Sequence, residues 1–581
     1  MKEIGTVFYN KELNKYFVED IEVLDLGTAL INDLVAILPD GKITEIIKSD
    51  DKTEIYGILK LTSRVKQGSN KRGVPIYLFR PYHHKYPNFL VCSNKKPRKN
   101  IFCSISFNKW DNIRKVHFGK MERIIGETGN YDNEIQYIIA CNNLNHPGNN
   151  KMIKKFELNE KIKCDKEMIE GIQDRIPDLE VISIDPNGCT DIDDAFSFTE
   201  NEDSCEYIIN IAIADLMKFL DEKMYNLIKS RFFTIYYDGG KNNMIPNVYA
   251  EDLISLREGF NRYSIVTKFV YNASGECINF SFNRFIIKNI KAYSYEEVDK
   301  IFSKGRYKNS MDQMLLKLKS FMNKKLGIKD VNSHNLIEYF MIKANKSVGK
   351  YLVDSGLKTV LRSHMKVENI EKYIDGIEDE KLMDFLRIRN MKKAVYNFSS
   401  NNESDNYHFG LNLNYYTHFT SPIRRFPDIL VHEALCKVCD IDNQFNICDY
   451  DKSLLDEINK KEKSINKCER KLNKLRVIKD LEKEGDFERD YGGYVTGFND
   501  IFIEVFIPSL KLEDKVRVVP RKFEELYEVD IVEDGLEMIV EKCGEELMRF
   551  KIYEKVILNI TTFLNEEVFN NKIKISLKNI I

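Results

Sequence analysis

The spacing of apolar and polar positions changes along the chain, and each change predicts a different kind of structure. Short alternating runs fill about the first 145 residues and return after residue 487, which is typical of β-strands. Between them, residues 335–353 carry apolar side chains at helical spacing, and residues 453–484 form a charged stretch without proline or glycine. The former predicts a packed helix and the latter a solvated linking helix. The whole pattern predicts a multidomain α/β protein with β-barrels.

The same shifts predict the domain limits. At about 150 residues per domain, a chain of 581 residues is expected to form roughly four units. We expect a small β-barrel in residues 1–50, a second and basic barrel in residues 51–148, an α/β body with a terminal helix in residues 149–485, and a further barrel in residues 486–581.

Composition narrows the cellular setting. No stretch approaches 18 uninterrupted apolar residues, so no membrane span is expected. The amino-terminal segment MKEIGTVFYN lacks the apolar core of a secretory signal, so the twelve cysteines are interpreted as reduced thiols in the cytoplasm. Cys436 and Cys439 form the only CxxC, and we interpret them as apolar helix positions without a metal.

Positive charge is concentrated in residues 57–123, which contain 16 lysines and arginines against two acidic residues. Basic groups can follow a phosphate backbone while aromatic faces stack on bases, so this window predicts a barrel that binds single-stranded nucleic acid. The alternative is a small β-domain whose aromatic residues form its core. The aromatic residues of the window are Tyr77, Phe79, Tyr82, Tyr86, Phe89, Phe102, Phe107, Trp110 and Phe118.

A cluster of four aspartates lies in SIDPNGCTDIDDAF, at residues 183–196, where no lysine or arginine occurs between positions 175 and 218. These are Asp185, Asp191, Asp193 and Asp194. Two carboxylates about 4 Å apart repel by roughly 4 kcal/mol at an effective dielectric of 20, so the cluster must be splayed into water or hold a cation. Apolar, strand-like flanks place it at the mouth of a sheet and favour the cation. The alternative is a solvated acidic loop.

The kind of cation follows from the ligand atoms. The cluster begins like an EF-hand loop, but glycine falls at its fourth position and Phe196 at its twelfth, so calcium binding of that kind is excluded. Carboxylate oxygens suit Mg²⁺ or Mn²⁺ better than zinc.

A second segment reads YYTHFTSPIRRFPDILVHEAL and joins Arg424 and Arg425 to a Ser-Pro pair. A helix is expected to begin either at that pair or near Pro427, and either start leaves the arginines at a helix N-terminus, where a phosphate can bind. The alternative makes both arginines ion-pair partners of Asp428 or Glu433. An oxygen-ligand metal cluster and an arginine-lined anion site together fit two-metal hydrolysis of a phosphodiester.

The two motifs resemble the signature of the ribonuclease II and ribonuclease R family, whose shared catalytic region is the RNB domain. Further resemblance occurs in the family's order along the α/β body, and residues 126–139 resemble the branch of the eukaryotic exosome's catalytic subunit. The additional segments are residues 211–215, 231–246, 292–298, 337–345, 361–364 and 407–411.

The resemblance implies two cold-shock (OB) barrels, a central RNB domain and a C-terminal OB barrel. It implies a processive 3′ to 5′ exoribonuclease that uses Mg²⁺ or Mn²⁺ and releases nucleoside 5′-monophosphates from single-stranded RNA. The four aspartates match the family's catalytic metal ligands, and Arg424 matches the arginine that supports phosphate cleavage. Arg425 is expected to contact RNA, and Tyr236 and Tyr295 match aromatic positions that clamp the terminal nucleotides.

The chain also departs from the family pattern, at Phe426, Pro427 and Glu433, which puts local geometry and channel charge in question. We expect a monomer without the endonuclease (PIN) domain of the exosome subunit, and therefore no exosome docking through that domain. Two other functions stay open: an inactive RNA-binding scaffold derived from such a nuclease, and a DNA-directed phosphodiesterase.

Overall fold

A computed structural model describes most of the chain and divides it into two compact units. One unit comprises Met1–Asn145 and Asn466–Ile581, and the other comprises His146–Ile465. No helix in the described ranges is long and apolar enough to cross a membrane. The described residues are 2–10, 15–49, 54–65, 67–95, 98–111, 113–144, 148–201, 204–365, 379–390, 393–400, 402–443, 445–447, 450–485, 487–499, 501–520, 526–532, 536–563, 566 and 568–580.

The first unit begins with a five-stranded antiparallel sheet in the order β3-β2-β1-β4-β5. Alternation along the strands turns one apolar face inward, and Val7, Val18 and Val35 are fully buried there. The strands are β1 (Glu3–Asn10), β2 (Lys15–Val18), β3 (Ile21–Val23), β4 (Leu34–Ile37) and β5 (Ile43–Lys48).

Five further strands close into a barrel, followed by helix α1 (Tyr131–Cys141). Phe79 and Phe89 are fully buried inside this barrel, and Phe102 is fully buried between the barrel and α1, where it stacks on Tyr137, so these aromatic residues of the basic window are core residues. The strands are β6 (Ile55–Leu59), β7 (Ile76–Pro81), β8 (Phe89–Cys92), β9 (Ile101–Asp111) and β10 (Val116–Glu127), in the order β10-β8-β7-β6-β9.

The second unit is built around another closed barrel, in the order β11-β12-β13-β16-β17. The sequence predicted only a sheet at the acidic cluster, whereas here the sheet closes on itself because β11 pairs in parallel with β17. The strands are β11 (Leu179–Asp185), β12 (Asp194–Asn201), β13 (Glu206–Ala214), β16 (Asn261–Tyr271) and β17 (Cys277–Ser294). A short hairpin, β14 (Ile235–Tyr237) and β15 (Gly240–Asn242), lies between them in sequence.

Helices and short strand pairs complete the second unit. The predicted packed helix is confirmed as α7 (Ser333–Asp354), where Phe340, Ala344 and Val348 are buried. The other helices are α2 (Asn149–Lys155), α3 (Asn159–Glu170), α4 (Glu222–Arg231), α5 (Tyr295–Lys304), α6 (Ser310–Lys324), α8 (Glu380–Asn390) and α9 (Phe426–Val438). The strand pairs are β18 (Val360–Ser363) with β19 (Val395–Phe398), and β20 (Tyr407–His408) with β21 (Leu413–Asn414). Short turns of 3₁₀ or π helix occur at Leu216–Phe219, Tyr249–Leu253, Glu403–Asn406 and Phe409–Leu411.

The charged stretch forms helix α10 (Lys452–Glu482), but the prediction of a solvated helix is wrong. Leu455, Ile458, Leu475 and Ile478 are nearly or fully buried, since apolar residues at three- and four-residue spacing give the helix one apolar face among its charges. The predicted helical span agrees with the structure to within two residues at each end.

The carboxy-terminal part returns to strands, as the alternation predicted. It forms a five-stranded sheet in the order β24-β23-β22-β28-β29 and a three-stranded sheet in the order β25-β26-β27. The predicted fold class, a multidomain α/β protein with β-barrels, is confirmed, and the predicted domain limits stay predictions. The strands are β22 (Glu488–Asn499), β23 (Phe502–Ile507), β24 (Leu512–Arg517), β25 (Tyr527–Val532), β26 (Glu537–Lys542), β27 (Glu545–Lys551), β28 (Lys555–Thr562) and β29 (Ile573–Ile580). A 3₁₀ turn, Phe569–Asn571, precedes β29.

Candidate active site

The acid loop, residues 185–194, lies at one end of the second unit's barrel. Strand β11 ends at Asp185 and β12 begins at Asp194, so two of the four aspartates are held by sheet hydrogen bonds and the other two lie in the connection. Asp185 is paired across the sheet with Ser294, which caps helix α5, and the next residue is Tyr295. The barrel therefore brings Tyr295 to the acid loop although 110 positions separate it from Asp185 in sequence.

The two strand-end aspartates are partly buried, and this burial disfavours their charged forms. Burial raises the pKa of Asp185 to about 6, and the nearby charge of Asp191 raises it as well. Burial also raises the pKa of Asp194 well above its ordinary value, with further increases from the charges of Asp185 and Asp193. The Oδ2 atom of Asp185 is buried without a hydrogen-bond partner among the described residues. A nearby cation would favour both charged forms.

Asp191 is held by the β14–β15 hairpin. The Tyr236 hydroxyl donates to Asp191 Oδ2 at 2.7 Å, and the Lys241 ammonium donates to Asp191 Oδ1 at 2.5 Å and to Thr190 Oγ1 at 2.8 Å. Sequence reasoning missed Lys241, because the absence of nearby lysine and arginine in the chain suggested a cluster without a basic neighbour. The signal available was its position five residues after Tyr236, within a segment that resembles the family.

Asp193 joins the two motifs that the sequence singled out. The Ile423 backbone N–H donates to Asp193 Oδ1 at 2.9 Å, and Arg424 Nε donates to Oδ2 at 3.1 Å, across about 230 positions of sequence. Burial raises the pKa of Asp193 to about 7, although Arg424 and the Ile423 N–H act in the opposite direction. Arg424 Nη2 also donates to Ser421 Oγ at 2.9 Å, so two contacts orient the guanidinium toward the acid loop. The structure thus brings the two motifs together at Asp193.

The arginines lie at a helix start, and the structure selects one of the two predicted starts. Helix α9 begins at Phe426 with Arg425 as its N-cap and Pro427 in its first turn, so the alternative start at the Ser-Pro pair is wrong. Proline is accommodated there because the first turn needs no intrahelical N–H bond. Phe426 is fully buried against the rings of Phe232 and Tyr225, at centroid distances of 5.4 and 5.9 Å. Both departures from the family pattern therefore fit the local packing.

The ion-pair alternative holds for one arginine only. Arg425 Nη2 donates to Asp428 Oδ1 at 2.8 Å, and Asp428 is completely buried. Arg424 instead pairs with Asp193. Glu433 pairs with neither arginine, because its carboxylate lies 2.5 Å from Lys437 one helical turn later, and it is buried rather than exposed to a channel. The predicted contact of Arg425 with RNA stays a prediction.

The two candidate tyrosines flank the acid loop. Tyr236 is 40% exposed, so its ring is accessible while its hydroxyl is bonded to the loop. The Tyr295 ring stacks on His334 with centroids 4.0 Å apart and planes 11° apart. Burial raises the pKa of Tyr295 to about 12, with the charges of Asp194 and Asp185 as the next causes. The structure thus places both rings beside the acids, and their roles stay predictions.

A metal centre requires several oxygen ligands that converge. Among the residues that the structure describes, no group of three or more His, Cys, Asp or Glu side chains is arranged to hold a metal ion. Two of the four aspartates are bound by the chain's own cations, Lys241 and Arg424. Asp185, whose Oδ2 has no hydrogen-bond partner among the described residues, and Asp194 carry oxygen atoms of the kind that a hard divalent cation prefers.

Comparison with known proteins identifies the body that carries this site. Residues 173–330 and 324–440 match the RNB domain. The chain contains an RNB domain. The probable exosome complex exonuclease RRP44 of Caenorhabditis elegans is 24% identical over 79% of this chain and 55% of that protein. Ribonuclease R of Chlamydia pneumoniae is 25% identical over 46% of this chain and 47% of that protein. The chain thus spans about half the length of these curated relatives.

Solved structures of other proteins show the same fold. The apo form of Mycoplasma genitalium RNase R superposes with a TM-score of 0.73 at 17% identity, covering 99% of this chain and all of that one. Yeast Ssd1, described as a pseudonuclease, superposes with a TM-score of 0.62 at 13% identity, covering 100% of this chain and 97% of that one. The fold therefore occurs in a ribonuclease and in a pseudonuclease. Only the side chains at the candidate site can distinguish an active nuclease from an inactive one.

Proposed function

We propose that this RNB-domain protein is a divalent-metal-dependent 3′ to 5′ exoribonuclease that degrades single-stranded RNA processively to nucleoside 5′-monophosphates. The observation that carries the proposal is the contact of Asp193 with the Ile423 N–H and with Arg424 Nε. It unites a carboxylate cluster and a guanidinium in one site, a combination that suits phosphodiester hydrolysis.

The side chains divide the chemistry among them. Asp185 and Asp194 would hold a divalent cation, which supplies an acidified water and polarises the phosphate. Arg424 is 43% exposed at its side chain and is oriented by two hydrogen bonds, so it can meet the negative charge that develops on the phosphate. Its orientation before substrate arrives means that little reorganisation is needed during the reaction.

The aromatic rings would position the RNA end. Tyr236 contacts the acid loop through its hydroxyl and exposes its ring. Tyr295, which stacks on His334, follows the residue that pairs with Asp185. Stacking of a base on an aromatic side chain contributes about 1–3 kcal/mol and tolerates any sequence, which suits an enzyme that removes every nucleotide in turn.

The expected two-metal mechanism stays part of the proposal for the RNA-bound enzyme. The ion pairs at Asp191 and Asp193 leave two acid-loop carboxylates for cations, so at least one divalent cation is required.

The described cysteines are free thiols, which supports a reducing, cytoplasmic setting for the protein.

The test is digestion of a 5′-labelled single-stranded RNA with Mg²⁺ or Mn²⁺, followed by separation of the products. We expect mononucleotide release, its loss in Asp185→Asn, and unchanged release in Asp354→Asn, which removes a carboxylate from an exposed ion pair with Lys350. A matched DNA strand should resist digestion. Binding of the RNA without any mononucleotide under these conditions would refute the proposal.

A second candidate is an inactive RNA-binding scaffold, because the fold also matches a pseudonuclease. All four aspartates and Arg424 are retained here, and they are arranged as one site, which argues against loss of activity. The same digestion separates the two candidates, since a scaffold would bind RNA with equal affinity in the wild type and in Asp185→Asn and would cleave in neither.

A further inference from the structure

Lys241 makes an unusually close and well-shielded contact with the acid loop. Its ammonium lies 2.5 Å from Asp191 Oδ1, and the two side chains are only 17% and 6% exposed. Exposed lysine pairs contribute little because water competes for both charges, but here water is largely removed. A second contact, to Thr190 Oγ1 at 2.8 Å, fixes the ammonium at this place.

The β14–β15 hairpin supplies two donors to the Asp191 carboxylate, one from each strand. Tyr236 and Lys241 face each other across β14 and β15, and they bind different oxygens of the same carboxylate. Both oxygens of Asp191 are therefore occupied by protein donors. Glu251 lies 3.8 Å from the ammonium and accepts a hydrogen bond from the Asn243 amide, so it is a weaker second partner of the lysine.

The contact between Lys241 and Asp191 changes the net charge of the acid loop. The four aspartates carry four negative charges when ionised, and Lys241 and Arg424 each neutralise one of them through a direct ion pair. Within the described part of the chain, the remaining two aspartates have no such ion pair, although Arg424 acts on both at longer range. The residual charge of two equals that of a single divalent cation. The remaining two aspartates are Asp185 and Asp194.

We propose that Lys241 is a built-in second cation of this site, so that the protein without RNA binds one divalent ion and not two. Lys241 neutralises Asp191, keeps it from acting as a metal ligand and positions the loop around the single ion. Arg424 likewise neutralises Asp193 and keeps it from acting as a metal ligand. This inference rests on the proposed metal-dependent nuclease activity and specifies how the site balances its charge.

The experiment counts bound metal directly and does not depend on turnover. Metal-free full-length protein is titrated with Mn²⁺ without RNA, and the free ion is followed by its electron paramagnetic resonance signal. The wild type should bind one ion per chain tightly. Lys241→Met should bind a second ion, or bind the first at least about tenfold more tightly, because a positive charge next to the site is removed.

Two variants control for charge and folding. Lys241→Arg keeps the positive charge and should bind one ion like the wild type. Lys350→Met removes a lysine from the exposed pair with Asp354 and should leave both the number and the affinity of bound ions unchanged. Thermal unfolding in chelator should show a lower midpoint for Lys241→Met than for Lys350→Met, with recovery on addition of Mg²⁺, which separates a folding defect from a changed metal site.

The outcomes distinguish this inference from the proposed function. Two tightly bound ions in the wild type, or identical binding by the wild type and Lys241→Met, would overturn the role of Lys241 while leaving metal-dependent digestion intact. Absence of any bound Mn²⁺ together with absence of mononucleotide release would instead overturn the proposed function.

Discussion

Asp193→Asn should inactivate the protein and at the same time stabilise its metal-free form at alkaline pH. The carboxyl is 4% exposed, and burial raises its pKa from the ordinary 3.8 to about 7. Because the folded state holds the proton of Asp193 more tightly than the unfolded state, the contribution of this residue to stability is highest below pH 4 and falls as pH rises toward 7. The difference between those pKa values corresponds to about 4 kcal/mol lost by the wild type at pH 8.

The asparagine side chain does not ionise, so Asp193→Asn should escape this loss. Part of the gain is offset by about 2–3 kcal/mol, because the single amide oxygen of asparagine cannot accept from both the Ile423 N–H and Arg424 Nε, and one of these buried donors is left unpaired. We expect the variant to be about 1–2 kcal/mol more stable than the wild type at pH 8, and no more stable at pH 4. RNA digestion should fall by at least about a hundredfold, because Arg424 loses the carboxylate that orients it.

The assay is urea unfolding in chelator at pH 4, 6 and 8, with mononucleotide release measured separately in Mg²⁺. Asp354→Asn is the matched control, since its exposed carboxylate should change stability by less than about 0.5 kcal/mol at every pH. A variant that loses several kcal/mol at pH 8 would show that the charged carboxylate is favourable and would refute the argument from burial. Digestion at the wild-type rate would refute the role of Asp193 in the site.

Three other substitutions test separate contacts. Arg424→Lys keeps the charge but cannot reproduce the fork that binds Asp193 Oδ2 and a serine hydroxyl, so digestion should slow about tenfold or more with little change in melting temperature. Tyr236→Phe keeps the ring and removes the 2.7 Å hydrogen bond to the acid loop, so digestion should slow less than tenfold, whereas Tyr236→Ala should slow it further. Arg362→Met removes a bidentate ion pair with Glu462, whose two hydrogen bonds are both 2.9 Å long. The free energy of unfolding measured in urea should fall by about 2 kcal/mol.

Each of these has a contrary outcome. Full activity of Arg424→Lys would mean that charge alone suffices at that position. Equal effects of the two Tyr236 substitutions would mean that the hydroxyl, and not the ring, accounts for its contribution. Unchanged stability of Arg362→Met would place its ion pair among those that contribute nothing measurable.

The acid loop and the arginine motif were recognisable in the sequence, because the chemistry of a phosphodiesterase site is concentrated in short segments. Asp185, Asp191, Asp193 and Asp194 occur within ten residues, and Arg424 occurs in a segment as specific. The alternation of apolar residues likewise identified strands and the fold class, since period and side-chain burial are local properties of a strand.

The tertiary structure alone decided which charges meet. Lys241 reaches Asp191 across 50 positions and Arg424 reaches Asp193 across about 230, and no local pattern records either contact. Helix α10 is a similar case, because the burial of its apolar face depends on packing partners that are distant in sequence. Residue types and spacing thus determined what chemistry the site can perform, whereas long-range folding determined how its charges are balanced, because electrostatic energy depends on distance in space and not along the chain.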